Sequence, residues 1–317
     1  MPNKIKFGVF LPFYIFKSKK DSQLFDQLKD TVLECEKLGF SSIWLDDHLM
    51  LNNKPILECW TTLSALSKVT RKIRLGTMVT CNSFRNPALL AKMSATVDNI
   101  SNGRLELGIG AGIQKNEHNA YGFPFNSSKI RIQKLEEAVW IIKKLCTKKN
   151  VSFKGEHYTL RNANCEPKPL QNPHPPLIIG GGGEHLMLRL TAKYADRFDW
   201  GYLPSIEVYH HKLEILRSYC ETIKRDFDEI EKSSWPTGQI SIVKRKNLEE
   251  KNSESVTKDI SSNHNVMREK FTFTPEDLLE RIRYYVNFGV TYFMLFFSDI
   301  PNFEGLRFFH KKIIQKI

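Results

Sequence analysis

Apolar residues along this chain fall into two alternating periods. Eight short runs are apolar almost throughout: IKFGVFLP (5–12), SSIWLDD (41–47), IRLGTMVTC (73–81), RLELGIG (104–110), PLIIG (176–180), RFDWGYL (197–203), GQISIVK (238–244) and TYFMLFF (291–297). Runs of that length and character read as strands covered on both faces. Between them apolar residues recur three and four apart, as in Ile132, Leu135, Val139, Ile142 and Cys146, and again in Leu279, Ile282 and Val286. That spacing gathers one buried stripe on a helix. A last helical stretch, EGLRFFHKKIIQKI, follows the eighth strand. Strands alternating with helices eight times over predict an α/β fold, the (β/α)8 TIM barrel, as a single domain over 1–317.

Two segments exceed a simple barrel connection. VSFKGEHYTLRNANCEPKPLQNPHP (151–175) alternates like a hairpin and then turns proline-rich, predicting an excursion between helix four and strand five. The charged stretch 245–272 is expected to be a flexible loop between strand seven and helix seven.

Composition narrows the function classes. With 41% hydrophobic and 26% charged residues, the chain of 317 residues is globular and can bury a large core. The start, MPNKIKFGVF, has no leader-like apolar run, and no stretch of about 18 apolar residues predicts a membrane span, so a soluble cytoplasmic protein is expected. The net charge of +12 comes from Lys and Arg interleaved with Glu and Asp. Without a recognition motif it points to solubility and attraction of anions, not to a nucleic-acid partner. Six scattered cysteines without a C-x-x-C pair argue against zinc and against a disulfide framework, and the adjacent His210 and His211 point to different helix faces, so no metal is expected.

In a TIM barrel the working face is the C-terminal end of the strands, so the chemistry is sought just after each apolar run. There stand Asp46-Asp47-His48, Met78 to Ser83, Gly110-Ala111-Gly112 and Gly180 to Gly183. The run RLELGIGAGIQKNE is not a dinucleotide fingerprint, because Ile113 occupies the position of the last glycine and three strands precede it. Glycine turns let backbone N–H groups approach an anion, and GGGG opens onto EHLMLRLTAKYAD, a helix whose N-terminus draws phosphate. Tight βα turns alone would also explain them. His48, at a strand end, is a candidate acid–base group. Glu58, at the start of helix two, is a second catalytic candidate, although an acid there also stabilises the helix.

GFSSIWLDDHLM, ECWTTLSALSKVTRKIRLGTMVTCNSFRNPALLAKMSATVDNISNGRLELGIGAG, PPLIIGGGGEHLMLRLTAKYAD and TPEDLLERIRYYVNFGVTYFMLFF together resemble the bacterial luciferase-like superfamily, in particular its deazaflavin (coenzyme F-420) dependent oxidoreductases. The resemblance implies hydride transfer between coenzyme F-420 and a small organic substrate, with an FMN-dependent monooxygenase and a non-catalytic flavin-binding relative as alternatives. It implies a homodimer, a cis peptide at Met78–Val79, and His48 near the hydride-transferring carbon. It places the cofactor against Asp47, Met78, Val79, Cys81, Gly110, Gly112, Ile113, Asn116, Gly181, Gly182 and Gly183. The sequence departs from the sugar-phosphate branch in having Phe13-Tyr14 where an acid follows strand one, and no tryptophan after His48.

Overall fold

The computed structural model describes residues 5–16, 21–51, 54–201, 205–236, 239–242 and 270–316. In chain order the elements are β1 (Lys6–Phe10), α1 (Leu24–Lys37), β2 (Ser42–Leu45), α2 (Cys59–Val69), β3 (Arg74–Thr77), β4 (Thr80–Cys81), α3 (Pro87–Ser101), β5 (Leu105–Gly110), α4 (Lys115–Ala120), α5 (Ser128–Thr147), β6 (Val151–Lys154), β7 (Thr159–Ala163), β8 (Leu177–Gly180), α6 (Met187–Tyr194), β9 (Arg197–Asp199), α7 (Ile206–Thr222), β10 (Glu231–Ser234), β11 (Gln239–Ile242), β12 (Lys270–Phe273), α8 (Pro275–Val286), β13 (Val290–Phe297) and α9 (Glu304–Lys312). Eight parallel strands, β1-β2-β3-β5-β8-β9-β10-β13, close on themselves where Val9 of β1 pairs with Leu295 of β13.

Alternation along each strand builds two cores. Ile43 and Leu45 of β2 face the helices, while Trp44 between them joins Phe10, Ile178, Trp235, Tyr292, Met294 and Phe296 inside the barrel. Gly76 makes room for this packing, since a Cβ there would sit 2.3 Å from the Trp44 ring. Both strand faces are therefore apolar, which is why the runs read as unbroken.

The N-terminal end of the barrel is closed by charge. Glu106 accepts from Arg74 at 2.5 Å and Arg197 at 2.6 Å, Arg197 also reaches Glu231 at 2.7 Å, and its guanidinium lies 3.6 Å from the centre of the Tyr292 ring. Ligands are thus left the opposite, C-terminal mouth.

Three expectations need correction. Strand seven, expected at 238–244, runs instead as β10, with β11 following it alongside the far half of β13. The hydrophobic pattern misses β10 because its sequence is EKSS: Lys232 reaches Asp228 at 2.7 Å and the Ser233 hydroxyl reaches Asp199 at 2.8 Å, so polar side chains are buried with partners. The last three residues of the expected loop 245–272 belong to β12, Lys270–Phe273, which pairs with β11, and the rest of the loop lies outside the described residues. The helix after GGGG begins only at Met187, four residues beyond Gly183. The hairpin excursion stands as β6 and β7.

Candidate active site

A cavity of about 310 Å³ opens at the C-terminal end of the strands. Its floor and walls are Met78, Val79, Cys81, Trp200 and Trp235, its glycine edge is Gly110, Gly112, Gly180, Gly181 and Gly201, and Asp47 and His48 stand at one side. Ile113, 64% exposed, is an apolar residue at its rim.

His48 is held by a residue of the cavity's own lining. Its Nδ1 lies 3.1 Å from Oε2 of buried Glu117 on α4, whose Oε1 accepts from the backbone N–H groups of Leu49 and Met50. Burial disfavours the imidazolium, but the Glu117 hydrogen bond, with Asp46, Glu117 and Asp47 as neighbouring charges, outweighs it and holds the His48 pKa above its ordinary value. Burial likewise pushes the Asp46 carboxyl up to about 6, against the pull of His48 and the Phe13 N–H at 2.9 Å.

Asp47 does different work. Its fully buried carboxylate takes two bonds from Arg85, at 2.6 and 2.8 Å, and one from the Cys81 N–H at 2.9 Å. It therefore ties the end of β2 to the strand-three segment. Arg85 also reaches Glu58 at 2.6 Å, and Glu58 caps α2 through the N–H groups of Trp60 and Thr61. Burial pushes the Cys81 thiol up to about 12, so it is a neutral group facing His118 Nε2 at 3.9 Å.

The Met78–Val79 peptide is cis. Val79 projects among glycines: a Cβ on Gly110 or Gly180 would come within 2.7 or 2.8 Å of its methyl groups. The two glycine turns differ in their tolerance of a side chain. Gly112 has φ +78°, and a Cβ there would sit 2.7 Å from Cys81 Sγ, whereas one on Gly182 meets only ordinary contacts at 3.5–3.6 Å. Gly112→Ala is therefore expected to cost about 1–3 kcal/mol of stability and Gly182→Ala under about 0.5. Urea unfolding of both variants checks this; equal losses would mean that the crowding at Gly112 is relieved without cost.

Of the residues singled out from sequence, the structure brings Asp47, His48, Met78, Val79, Cys81, Gly110, Gly112, Ile113 and Gly181 to the cavity. Glu58, Asn116, Gly182 and Gly183 are not among its lining residues. Glu58 is turned away because its carboxylate is engaged by the α2 cap and Arg85. Sequence reasoning missed Glu117, His118, Asp199, Trp200 and Trp235, all of which line the cavity. Asp199 and Trp235 bond each other at 2.8 Å; Asp199 lay inside an expected strand, and Trp235 had no signal because β10 before it was not legible.

The profile of the luciferase-like monooxygenase family matches residues 5–242. The chain belongs to this family. It is 30% identical over 217 residues to an F420-dependent glucose-6-phosphate dehydrogenase of Amycolatopsis mediterranei, a match covering 65% of this chain and 62% of that protein. A protein of the same name from Segniliparus rotundus is 25% identical over 313 residues, covering 89% of this chain and 90% of that one. The matched region spans about three fifths of the Amycolatopsis protein and, for the relative from Intrasporangium calvum, 53%. Among solved structures, an F420-dependent secondary alcohol dehydrogenase in complex with an F420-acetone adduct superposes with a TM-score of 0.78 at 22% identity, covering 98% of both chains. The oxygenating constituent of 3,6-diketocamphane monooxygenase from Pseudomonas putida, in complex with FMN, does so at 0.76 and 15%, covering 99% of both. At such identities the likeness to this luciferase-like chain is one of fold.

Proposed function

We propose that this luciferase-like protein is an oxidoreductase that moves a hydride between coenzyme F-420 and a small organic substrate. The observation that carries the reading is His48: it stands in the cavity wall with Nδ1 taken by Glu117, which leaves Nε2 for a substrate oxygen or nitrogen. The cavity fits a flat ring with a phosphate tail. Val79, Met78, Trp200 and Trp235 give it apolar surface, and Gly110, Gly112, Gly180 and Gly181 form an edge that carries no side chains of its own. When bound, a deazaflavin supplies the carbon that exchanges the hydride. The chain's own part is to seat the ring against Val79, exclude water with Trp200 and Trp235, and hold or take a proton at His48 Nε2 as charge changes on the substrate. The names of the F420-dependent relatives support the same coenzyme for this chain. The reading takes residues 1–317 as one domain acting as a cytoplasmic homodimer.

Side-by-side titration of the apoprotein with coenzyme F-420 and FMN tests this. Coenzyme F-420 is expected to bind more tightly, and the preference to shrink as salt rises, because its anionic polyglutamyl tail is drawn to a chain of net charge +12. Tighter FMN binding, with oxygen consumed in step with substrate hydroxylation, would make the protein a monooxygenase instead.

A further inference from the structure

We propose that Glu117 is the positioning residue of the site: it fixes Nδ1 as the proton-bearing nitrogen of His48 and so leaves Nε2 as the nitrogen that exchanges a proton with the substrate. Only the kinetic arm of this inference rests on the hydride-transfer reading.

Glu117 is buried, and its Oε1 is committed to the N–H groups of Leu49 and Met50, so Oε2 can only be the atom turned to His48 Nδ1 at 3.1 Å. A carboxylate fed by N–H donors stays ionised. Burial alone would raise the Glu117 pKa, but His48 and the two backbone donors hold it below the usual carboxylate range. An ionised carboxylate has no proton to donate, so Nδ1 must be the donor. The clamp is doubled, because the Tyr121 hydroxyl, just past the end of α4, donates to the Leu49 carbonyl at 2.9 Å. Residues 48–50 and α4 therefore hold each other in place, and the imidazole cannot turn over without losing its partner.

The carboxylates around His48 act in one sense. Asp46 and Asp47 from its own loop and Glu117 from α4 all favour the imidazolium. Arg85, which opposes it, is spent on Asp47 and Glu58, and Cys81, behind Asp47, is a neutral thiol facing His118. A raised pKa means that the form able to donate at Nε2 persists to higher pH than for a free histidine. Substrate reduction, which needs the donor, falls as pH rises through that pKa; oxidation, which needs the bare Nε2, rises through it.

The amide variant Glu117→Gln is the informative one. Its carbonyl must accept from Leu49 and Met50, which turns the NH₂ group toward Nδ1 and forces the neutral ring to carry its proton on Nε2. The same carboxylate-to-amide logic inverts the histidine tautomer in serine proteases. Long-range ¹H–¹⁵N NMR of the wild-type apoprotein, with His48→Ala used to assign the signal among nine histidines, is expected to show a neutral Nδ1–H tautomer titrating above about 6.5. Glu117→Gln is expected to switch the tautomer and lower the titration point. Single-turnover oxidation in a coenzyme-saturated sample should fall by about 10²–10⁴-fold. A wild-type Nε2–H tautomer, a wild-type titration at or below the ordinary value, or an unchanged titration in Glu117→Gln overturns the proposal. The wild-type spectrum decides alone if the variant does not fold. Failure to bind coenzyme F-420 would sink the functional reading while leaving the spectrum to judge Glu117.

Discussion

Replacing His48 with alanine is expected to slow hydride transfer by about 10²–10⁴-fold while leaving coenzyme affinity nearly intact. The imidazole lies at the side of the cavity, with 27% of its side chain exposed, and its burial partner is Glu117 rather than the glycine edge or the Val79 wall that would hold a ring. Removing it deletes the nitrogen proposed to exchange the proton and leaves the seat. Glu117 keeps its backbone donors from Leu49 and Met50, so the loop retains two of its three ties to that carboxylate. Stopped-flow transfer in a coenzyme-saturated sample, beside an equilibrium titration, separates the two effects. Loss of binding with a normal transfer rate in the remaining complex would make His48 a structural residue.

The largest effect on stability is expected at Arg85. Changing it to methionine leaves Asp47, whose side chain is fully buried, with the Cys81 N–H alone, and stranding one member of a buried ion pair costs about 3–5 kcal/mol. Burial already pushes the Asp47 carboxyl above its usual range despite Arg85, which shows how poorly this position tolerates an unpaired charge. The double change Asp47→Asn with Arg85→Met should recover most of the loss, because both ends of the pair are then neutral. Glu58→Gln, at a side chain 38% exposed, should cost only about 1 kcal/mol. Urea unfolding of wild type, Asp47→Asn, Arg85→Met and the double variant reads out the cycle, with Glu58→Gln measured beside it; an Arg85→Met variant within about 1 kcal/mol of wild type would show that the pair adds nothing net.

What could be read from sequence follows from how each residue is held. The alternation of apolar runs and helical stripes is set by burial on both strand faces, which composition records directly, and strand ends then locate Asp47, His48 and the glycine turns. β10 escaped because its buried side chains are polar and partnered, so burial leaves no apolar trace. Glu117 escaped for a related reason. It lies in KNEHNA, a six-residue helix that is polar almost throughout, and what buries it is a loop some seventy residues earlier in the chain. Arg85 was visible only as part of a motif, since a salt bridge between residues 47 and 85 has no local period.

The two tryptophans of the cavity wall give the protein an optical property. Of its five indoles, Trp44 and Trp60 are enclosed in the core and Trp140 lies against Phe153 beside the hairpin, but Trp200 and Trp235 border the space a ligand would enter. Trp235 is fixed to Asp199 and Trp200 is stacked on Phe198, so neither ring has freedom to swing away. Their emission is therefore a built-in reporter of occupancy: a coloured ring seated beside them drains their fluorescence.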